Sequence, residues 1–276
     1  MFADIDFSQV RMVATDMDGT LLNSEGKVNE EFFGVFRALK EKGIKFTVAS
    51  GRQYPVLREL LHPIRDELSY IAENGSVAVE NDEVLFSKPL DAQTVSDLIE
   101  TGRKTDGAYL LLGGRETAYI DSREPEFLEQ VKKYFASYQV VDDLHDIRDR
   151  EILKFTVCNL KGAQKVSYPA FEKYTDRLQV KVSSPIWMDI TDLDANKGVA
   201  LQALLKNHDV TPEQTMAFGD YHNDIEMLRS VKYSFAMANA QSEVKAVAQY
   251  ETKSNDELGV TFALKALLSA IENNQA

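Results

Sequence analysis

Apolar residues follow two rhythms along this chain, and their alternation predicts its architecture. Val10–Thr15 is short, apolar and partly β-branched, as a buried strand is. Asn29 then offers an N-cap, with Glu30 and Glu31 in the first turn behind it. Phe32, Phe36 and Leu39 recur at helical spacing, and Gly43 supplies a stop. Ile44–Ala49 reads as a second strand that ends in Ser50-Gly51-Arg52. A strand, a helix and a strand in this order predict a parallel pair joined by a right-handed crossover. Both carboxyl ends then share one edge of the sheet, where open α/β sheets bind ligands.

The rhythm next turns antiparallel. Tyr54–Leu61 reads as a helix, and Asn74-Gly75 signals a hairpin turn between Tyr70–Ala72 and Val77–Val79. Asn81-Asp82 marks another turn before Val84–Phe86. Past Lys88, a helix capped by Asp91 is expected over Ala92–Arg103, then a hairpin of Tyr109–Leu112 and Thr117–Ile120 about Gly113-Gly114. Helices over Pro125–Phe135 and Ala163–Thr175 alternate with strands at Tyr138–Val141, Ile152–Val157 and Leu178–Val182. Pro89 and Ser183-Ser184-Pro185 mark the two crossings of an inserted α+β module. The parallel rhythm resumes with a strand at Trp187–Ile190, a helix at Lys197–Asn207 and a strand at Thr215–Phe218. A helix at Asp224–Arg229, a strand at Tyr233–Ala236 and helices at Glu243–Ala248 and Leu258–Glu272 complete it. The fold class expected is α/β: a Rossmann-like parallel-sheet core of residues 1–87 and 187–276, with an inserted α+β domain over 88–186.

Composition narrows the function. The 276 residues include 31 basic and 44 acidic ones, a net charge of −13. That balance argues against nucleic acid or an anionic membrane as partner, but admits a small anion held by a local cationic cluster. No apolar stretch is long enough to span a membrane, and no signal peptide is evident. Cys158 is the single cysteine. It lies in an apolar run, where core packing is the expected role, and a reducing, cytoplasmic setting is the simplest assumption.

Chemistry concentrates at four stations. Asp16 and Asp18 stand two apart at a strand end, so an extended backbone turns both carboxylates to one side. Such a pair is kept ionised by a divalent cation, and hard oxygen ligands suit Mg²⁺. Asp220 is a third carboxylate at another strand end, and Asp224 lies one helical turn on. Taken alone, Asp220–Asp224 reads more readily as a polar helix entry with Asn223 or Asp224 as N-cap. Ser50 offers a hydroxyl, and Gly51 and Arg52 offer amides for an oxyanion. Lys197, in the first turn of a helix where the dipole disfavours it, is a point charge for a phosphoryl group or a carboxylate. His222 is expected at the rim, and no dinucleotide or P-loop glycine pattern is present. Together these residues point to carboxylate-based phosphoryl transfer. Asp16 attacks phosphorus, Asp18 is the general acid and base, and Ser50, Lys197 and the cation stabilise charge.

Asp16-Met17-Asp18-Gly19-Thr20, Val48-Ala49-Ser50-Gly51-Arg52, Asn196-Lys197-Gly198 and Gly219-Asp220 through Asn223-Asp224 occur in one order along the chain. In that order and spacing the sequence resembles the haloacid dehalogenase superfamily, specifically its Cof-type sugar-phosphate phosphatases with a large α/β cap. The resemblance implies Asp16 as nucleophile, Asp18 as acid and base, and Lys197 as a further catalytic group. It implies Mg²⁺ on Asp16, on the Met17 or Asp18 segment, usually through the Asp18 backbone carbonyl and not its side chain, and on Asp220, with Asp224 behind them. Met17, Ser50, Gly51, Arg52, Lys197 and Asn223 would hold the phosphate or substrate, a small phosphorylated metabolite. Tyr221-His222 departs from the smaller residues of many relatives. A dehalogenase has no leaving alcohol to protonate, so Asp18 counts against one. A phosphomutase or phosphotransferase on the same core, or a sensor without turnover, remains open. Arg115 is a candidate specificity residue of the inserted module.

Overall fold

The structure, a computed structural model, describes residues 2, 5–135 and 137–275. In chain order its strands are β1 (Met12–Asp16), β2 (Lys45–Ala49), β3 (Ser69–Ala72), β4 (Val77–Glu80), β5 (Glu83–Ser87), β6 (Ala108–Gly113) and β7 (Ala118–Ile120). There follow β8 (Tyr138–Val140), β9 (Lys154–Asn159), β10 (Leu178–Val182), β11 (Trp187–Asp192), β12 (Thr215–Gly219), β13 (Tyr233–Ala236) and β14 (Tyr250–Glu251). They form an eight-stranded sheet in the order β14-β13-β12-β1-β2-β3-β4-β5 and a six-stranded sheet in the order β10-β11-β9-β6-β7-β8. The chain divides into two compact units. One takes residues up to Arg52, Leu57–Phe86 and everything from Asn196 on; the other takes Gln53–Val56 and Ser87–Ala195.

In the first unit, β1 lies at the centre, parallel to β12 on one side and β2 on the other. All five of its residues are buried, which is why it reads as a continuous apolar run and not an alternating one. Met12, Ala14, Ile71 and Ala217 pack with Leu201, Leu204 and Leu205 of the Lys197–Asn207 helix. Each fully buried leucine contributes roughly 1.5–3 kcal/mol. Asn29 caps the Glu30–Glu41 helix as expected, its side chain accepting from the Glu31 amide at 2.9 Å. β3 and β4 pair antiparallel across Asn74-Gly75. Asn81 and Asp82 carry φ of 50° and 63°, the geometry of a tight hairpin turn.

The second unit has a core on each face of its sheet. Leu110 and Leu112 pack on one side with Val95, Leu98 and Ile99 of the Ala92–Arg103 helix. Leu111, one residue out of phase, packs on the other with Phe127 and Val131 of the Pro125–Tyr134 helix. Cys158 lies in this second cluster, as its apolar run implied.

Several expectations need correction. The strand at Trp187 does not return to the parallel sheet. β11 runs antiparallel to both β10 and β9, so the second unit extends to Ala195 and not to 186. The reason is local: Ser183-Ser184-Pro185 is a hairpin turn, with Ser183 N donating to Trp187 O at 3.0 Å, and not a crossing. β8 pairs with β7 in parallel. The helix expected over Ala163–Thr175 is broken into a wide turn at Ala163–Ser167, a short α segment at Tyr168–Phe171 and a 3₁₀ turn at Glu172–Tyr174. Pro169 has no N–H to give to a continuous helix. β14 has only two residues and left no periodic signal. Among the described residues no helix is long and apolar enough to cross a membrane.

Candidate active site

Parallel pairing of β1, β2 and β12 brings Asp16, Ser50 and Asp220 to the same sheet edge. The Lys197–Asn207 helix begins there too, capped by Asn196, whose side chain accepts from Val199 N at 2.9 Å. A pocket of about 270 Å³ opens at this edge, lined by Asp16, Asp18, the Ser50–Arg52 loop, Asp220, Tyr221 and Asn223.

Beneath the pocket lies a buried ion cluster. Lys197 Nζ donates to Asp16 Oδ1 at 2.5 Å and to Asp224 Oδ1 at 2.6 Å. Lys197 and Asp224 have no solvent exposure, and Asp16 is 5% exposed. The other oxygen of Asp224 accepts the main-chain N–H groups of Asp220 and Tyr221, each at 3.0 Å. Asp224 therefore has both oxygens engaged. It holds the lysine and shapes the loop that presents Asp220. Thr20 Oγ1 donates to Asp220 Oδ1 at 2.8 Å. Gly19, at φ 79°, passes so close to Asp220 that a Cβ there would strike its carboxylate. Asp16 Oδ2 and Asp220 Oδ2 remain as the carboxylate oxygens that accept no hydrogen bond among the described residues.

Burial dominates the electrostatics. It pushes the Asp16 carboxyl up to about 8; the charge of Asp224 adds to the shift and Lys197 opposes it. Burial likewise lifts Asp220 to about 6, against the hydrogen bond from Thr20. For Lys197, burial alone works downward, but Asp16 and Asp224 outweigh it and hold the ammonium charged.

The residues fit a divalent cation. Asp16, Asp220 and Asp224 each offer an oxygen, all within 4.8 Å of one another. Among the described residues Arg52 pairs with Asp18, and Lys197 with Asp16 and Asp224; with all four acids ionised, Asp220 included, one divalent ion would balance the two charges left over. The open oxygens of Asp16 and Asp220 are the hard donors that Mg²⁺ takes.

Not every expected residue lies where the motif reading put it. Asp18 turns its carboxylate away from this group to Arg52, which donates from Nε at 2.7 Å and from Nη2 at 2.6 Å. The carboxylate pair expected from the extended backbone is thus not formed here, whereas the resemblance places only the Asp18 main-chain oxygen on the metal. The side chain of Met17 is fully buried, and its main-chain oxygen accepts from Thr20 and Leu22. In the Ser50–Arg52 loop, the Ser50 amide goes to Ile71 O and the Arg52 amide to Ser50 Oγ, which leaves the Gly51 amide for a ligand. His222 stands half exposed, 3.8 Å from Glu243. Arg115 belongs to the second unit, where it lines a separate cavity of about 240 Å³ with Tyr119 and Arg150. Sequence reasoning gave Thr20 no role of its own and overlooked Asn74, whose side chain meets Asn223 at 2.9 Å. An Asn-Gly pair signals only a turn, and a threonine after Asp-Gly signals nothing without the fold.

A family model described as haloacid dehalogenase-like hydrolase matches residues 13–264. Among curated proteins, the chain is 29% identical over 266 residues to the Escherichia coli 5-amino-6-(5-phospho-D-ribitylamino)uracil phosphatase YbjI, covering 94% of this chain and 96% of that one. Among solved structures, SMU.1108c from Streptococcus mutans is 34% identical with a TM-score of 0.80, covering 94% of this chain and 99% of that one. A protein from Eubacterium rectale is 28% identical with a TM-score of 0.87, at the same coverages.

Proposed function

The chain belongs to the haloacid dehalogenase-like hydrolase family, and from that premise we propose that it is a Mg²⁺-dependent phosphatase of small phosphorylated metabolites, sugar or sugar-alcohol phosphates, working through an aspartyl-phosphate. One observation carries the reading: a buried lysine grips Asp16 at a sheet edge while the other Asp16 oxygen stays open beside Asp220.

The chain's own residues supply the steps. Lys197 offsets the burial of Asp16 and favours its ionised form, the form that attacks. One carboxylate oxygen of Asp16 bonds to phosphorus as the bond from phosphorus to the ester oxygen breaks. Asp18 gives that oxygen its proton. Water then adds to the phosphorus of the aspartyl-phosphate, Asp18 takes the water's proton, and release of phosphate restores Asp16. The Gly51 amide, Asn223 and Arg52 donate to the transferring oxygens. The Arg52–Asp18 pair is 39% and 53% exposed, so it contributes at most about 1 kcal/mol. A phosphate can draw the guanidinium from Asp18 at little cost, freeing the acid. Mg²⁺, held by Asp16 and Asp220, would neutralise charge on the phosphoryl group.

The substrate class rests on the company the chain keeps. YbjI is named for a phosphate on a five-carbon ribityl chain, and a phosphorylated polyol of that size suits a small pocket whose aspartates would meet the phosphate through Mg²⁺ and whose Arg52 would meet it directly. Phosphate release from p-nitrophenyl phosphate with Mg²⁺, abolished in Asp16→Asn, tests the chemistry. A screen of sugar and polyol phosphates tests the class. Transfer of the phosphoryl group to a second metabolite without phosphate release would refute hydrolysis.

A further inference from the structure

The turn between β3 and β4 read as nothing more than a hairpin signal, yet it touches three of the four stations. Asn74 takes φ 57°, in the left-handed region. Its main-chain N–H donates to Ser50 O at 3.0 Å, which ties it to the loop after β2. Its side chain lies against Gly51, where a Cβ would come 2.9 Å from Asn74 Oδ1. That same Oδ1 accepts from Asn223 Nδ2 at 2.9 Å. Next to it, Gly75 has φ 97° and presses on the start of the Lys197 helix. A Cβ at Gly75 would overlap the Asn196 carbonyl and come 2.6 Å from Lys197 N.

The chemistry of the Asn223 side chain gives this contact a consequence. A free amide can rotate to present either its oxygen or its NH₂ group. Only the NH₂ group suits a phosphoryl oxygen, because a carbonyl oxygen facing it would repel. By accepting one Asn223 N–H, Asn74 sets the rotation and leaves the second N–H for the pocket that Asn223 lines. Asn74 does not itself line that pocket, so it acts through its neighbour.

We propose that Asn74 is a positioning residue of the active site, fixing the Asn223 amide as a phosphoryl donor and setting, with Gly75, the register of the Lys197 helix against the Ser50–Arg52 loop. The proposal rests on the phosphatase reading.

The clean variant is Asn74→Gly. Glycine takes positive φ without strain, so the turn is kept and only the amide is lost. Kinetic constants for p-nitrophenyl phosphate with Mg²⁺ are measured for wild type, Asn74→Gly, Asn223→Ala and the double variant, with melting temperatures alongside. Asn74→Gly is expected to raise KM about tenfold, the order carried by a lost hydrogen bond to a charged group. Its melting temperature should hold within about 2 °C, and the double variant should be no worse than Asn223→Ala alone. Three results would each overturn the proposal: kinetics within about twofold of wild type, a double variant that multiplies the single effects, or a lower melting temperature with KM unchanged. A wild-type protein that releases no phosphate strikes down the phosphatase reading instead. Calorimetric binding of inorganic phosphate with Mg²⁺ then decides: about tenfold weaker binding in Asn74→Gly sustains the positioning role, and equal or absent binding ends it.

Discussion

Replacing Lys197 with methionine removes one charge from the centre of the ion cluster at nearly constant volume. The ammonium it deletes sits 2.5 Å from Asp16 and 2.6 Å from Asp224, with all three side chains almost wholly buried. Deleting one partner of a buried pair costs about 3–5 kcal/mol, because the remaining charge has neither water nor counterion. For units of this size that corresponds to a fall in melting temperature of roughly 6–20 °C. The loss has a pH signature. Asp16 is already pushed up to about 8 by burial, with Lys197 working against the rise. Without the lysine, the Asp16 carboxyl rises further above its unfolded value. A carboxyl raised in the folded state takes up its proton on folding, so its penalty vanishes below the unfolded pKa, near 4, and grows as pH climbs toward the folded one. The variant should therefore lie close to wild type at pH 4–5 and furthest below it at pH 8. Denaturant unfolding in EDTA at both pH values measures this, and kcat should fall by about a thousandfold, as for loss of an essential catalytic group. An equal loss of stability at pH 5 and pH 8 would show that Lys197 acts by packing and not by charge, and would refute the electrostatic account.

Three further outcomes follow from the geometry. Thr20→Val keeps the shape of the side chain but removes the donor to Asp220 Oδ1; the Mg²⁺ concentration giving half-maximal activity should rise about threefold to tenfold, and an unchanged Mg²⁺ titration would separate Asp220 from the metal. Because Asp220 and Asp16 are lifted to about 6 and about 8, Mg²⁺ must displace protons from both; its affinity should climb from pH 5 to pH 8, with proton release seen by calorimetry in buffers of different ionisation enthalpy. Burial pushes the Cys158 thiol up to about 12, so the folded protein should not react with a disulfide reagent until it is unfolded; rapid reaction of native protein would place the thiol at the surface.

Much of this was legible in the residues. Local rules settled the β1–helix–β2 unit, because an apolar run, the Asn29 cap and the Phe32, Phe36, Leu39 stripe each act within a few positions. Handedness of the crossover then carried Asp16 and Ser50 to one edge without any coordinates. Pairing partners were less legible. Trp187–Asp192 is apolar enough for either sheet, and the Ser183–Pro185 hairpin, not composition, assigned it to the second. Pro169 gave a local warning, but the extent of the break depended on packing around Phe171 and Tyr174.

By itself, then, the chain's order of residues determined the α/β class, the central strand and the set of acids, amides and amine that meet at its end. Only the tertiary structure decided what each side chain does there. Asp18 turns to Arg52, Asp224 spends both oxygens on Lys197 and two amides, and the folded sheet brings Asn74 to Asn223 across 149 positions of sequence. The physical reason is range. Capping, periodicity and turn preference act between neighbours in sequence, whereas hydrogen bonds and charges act between neighbours in space, and only the folded sheet sets which those are.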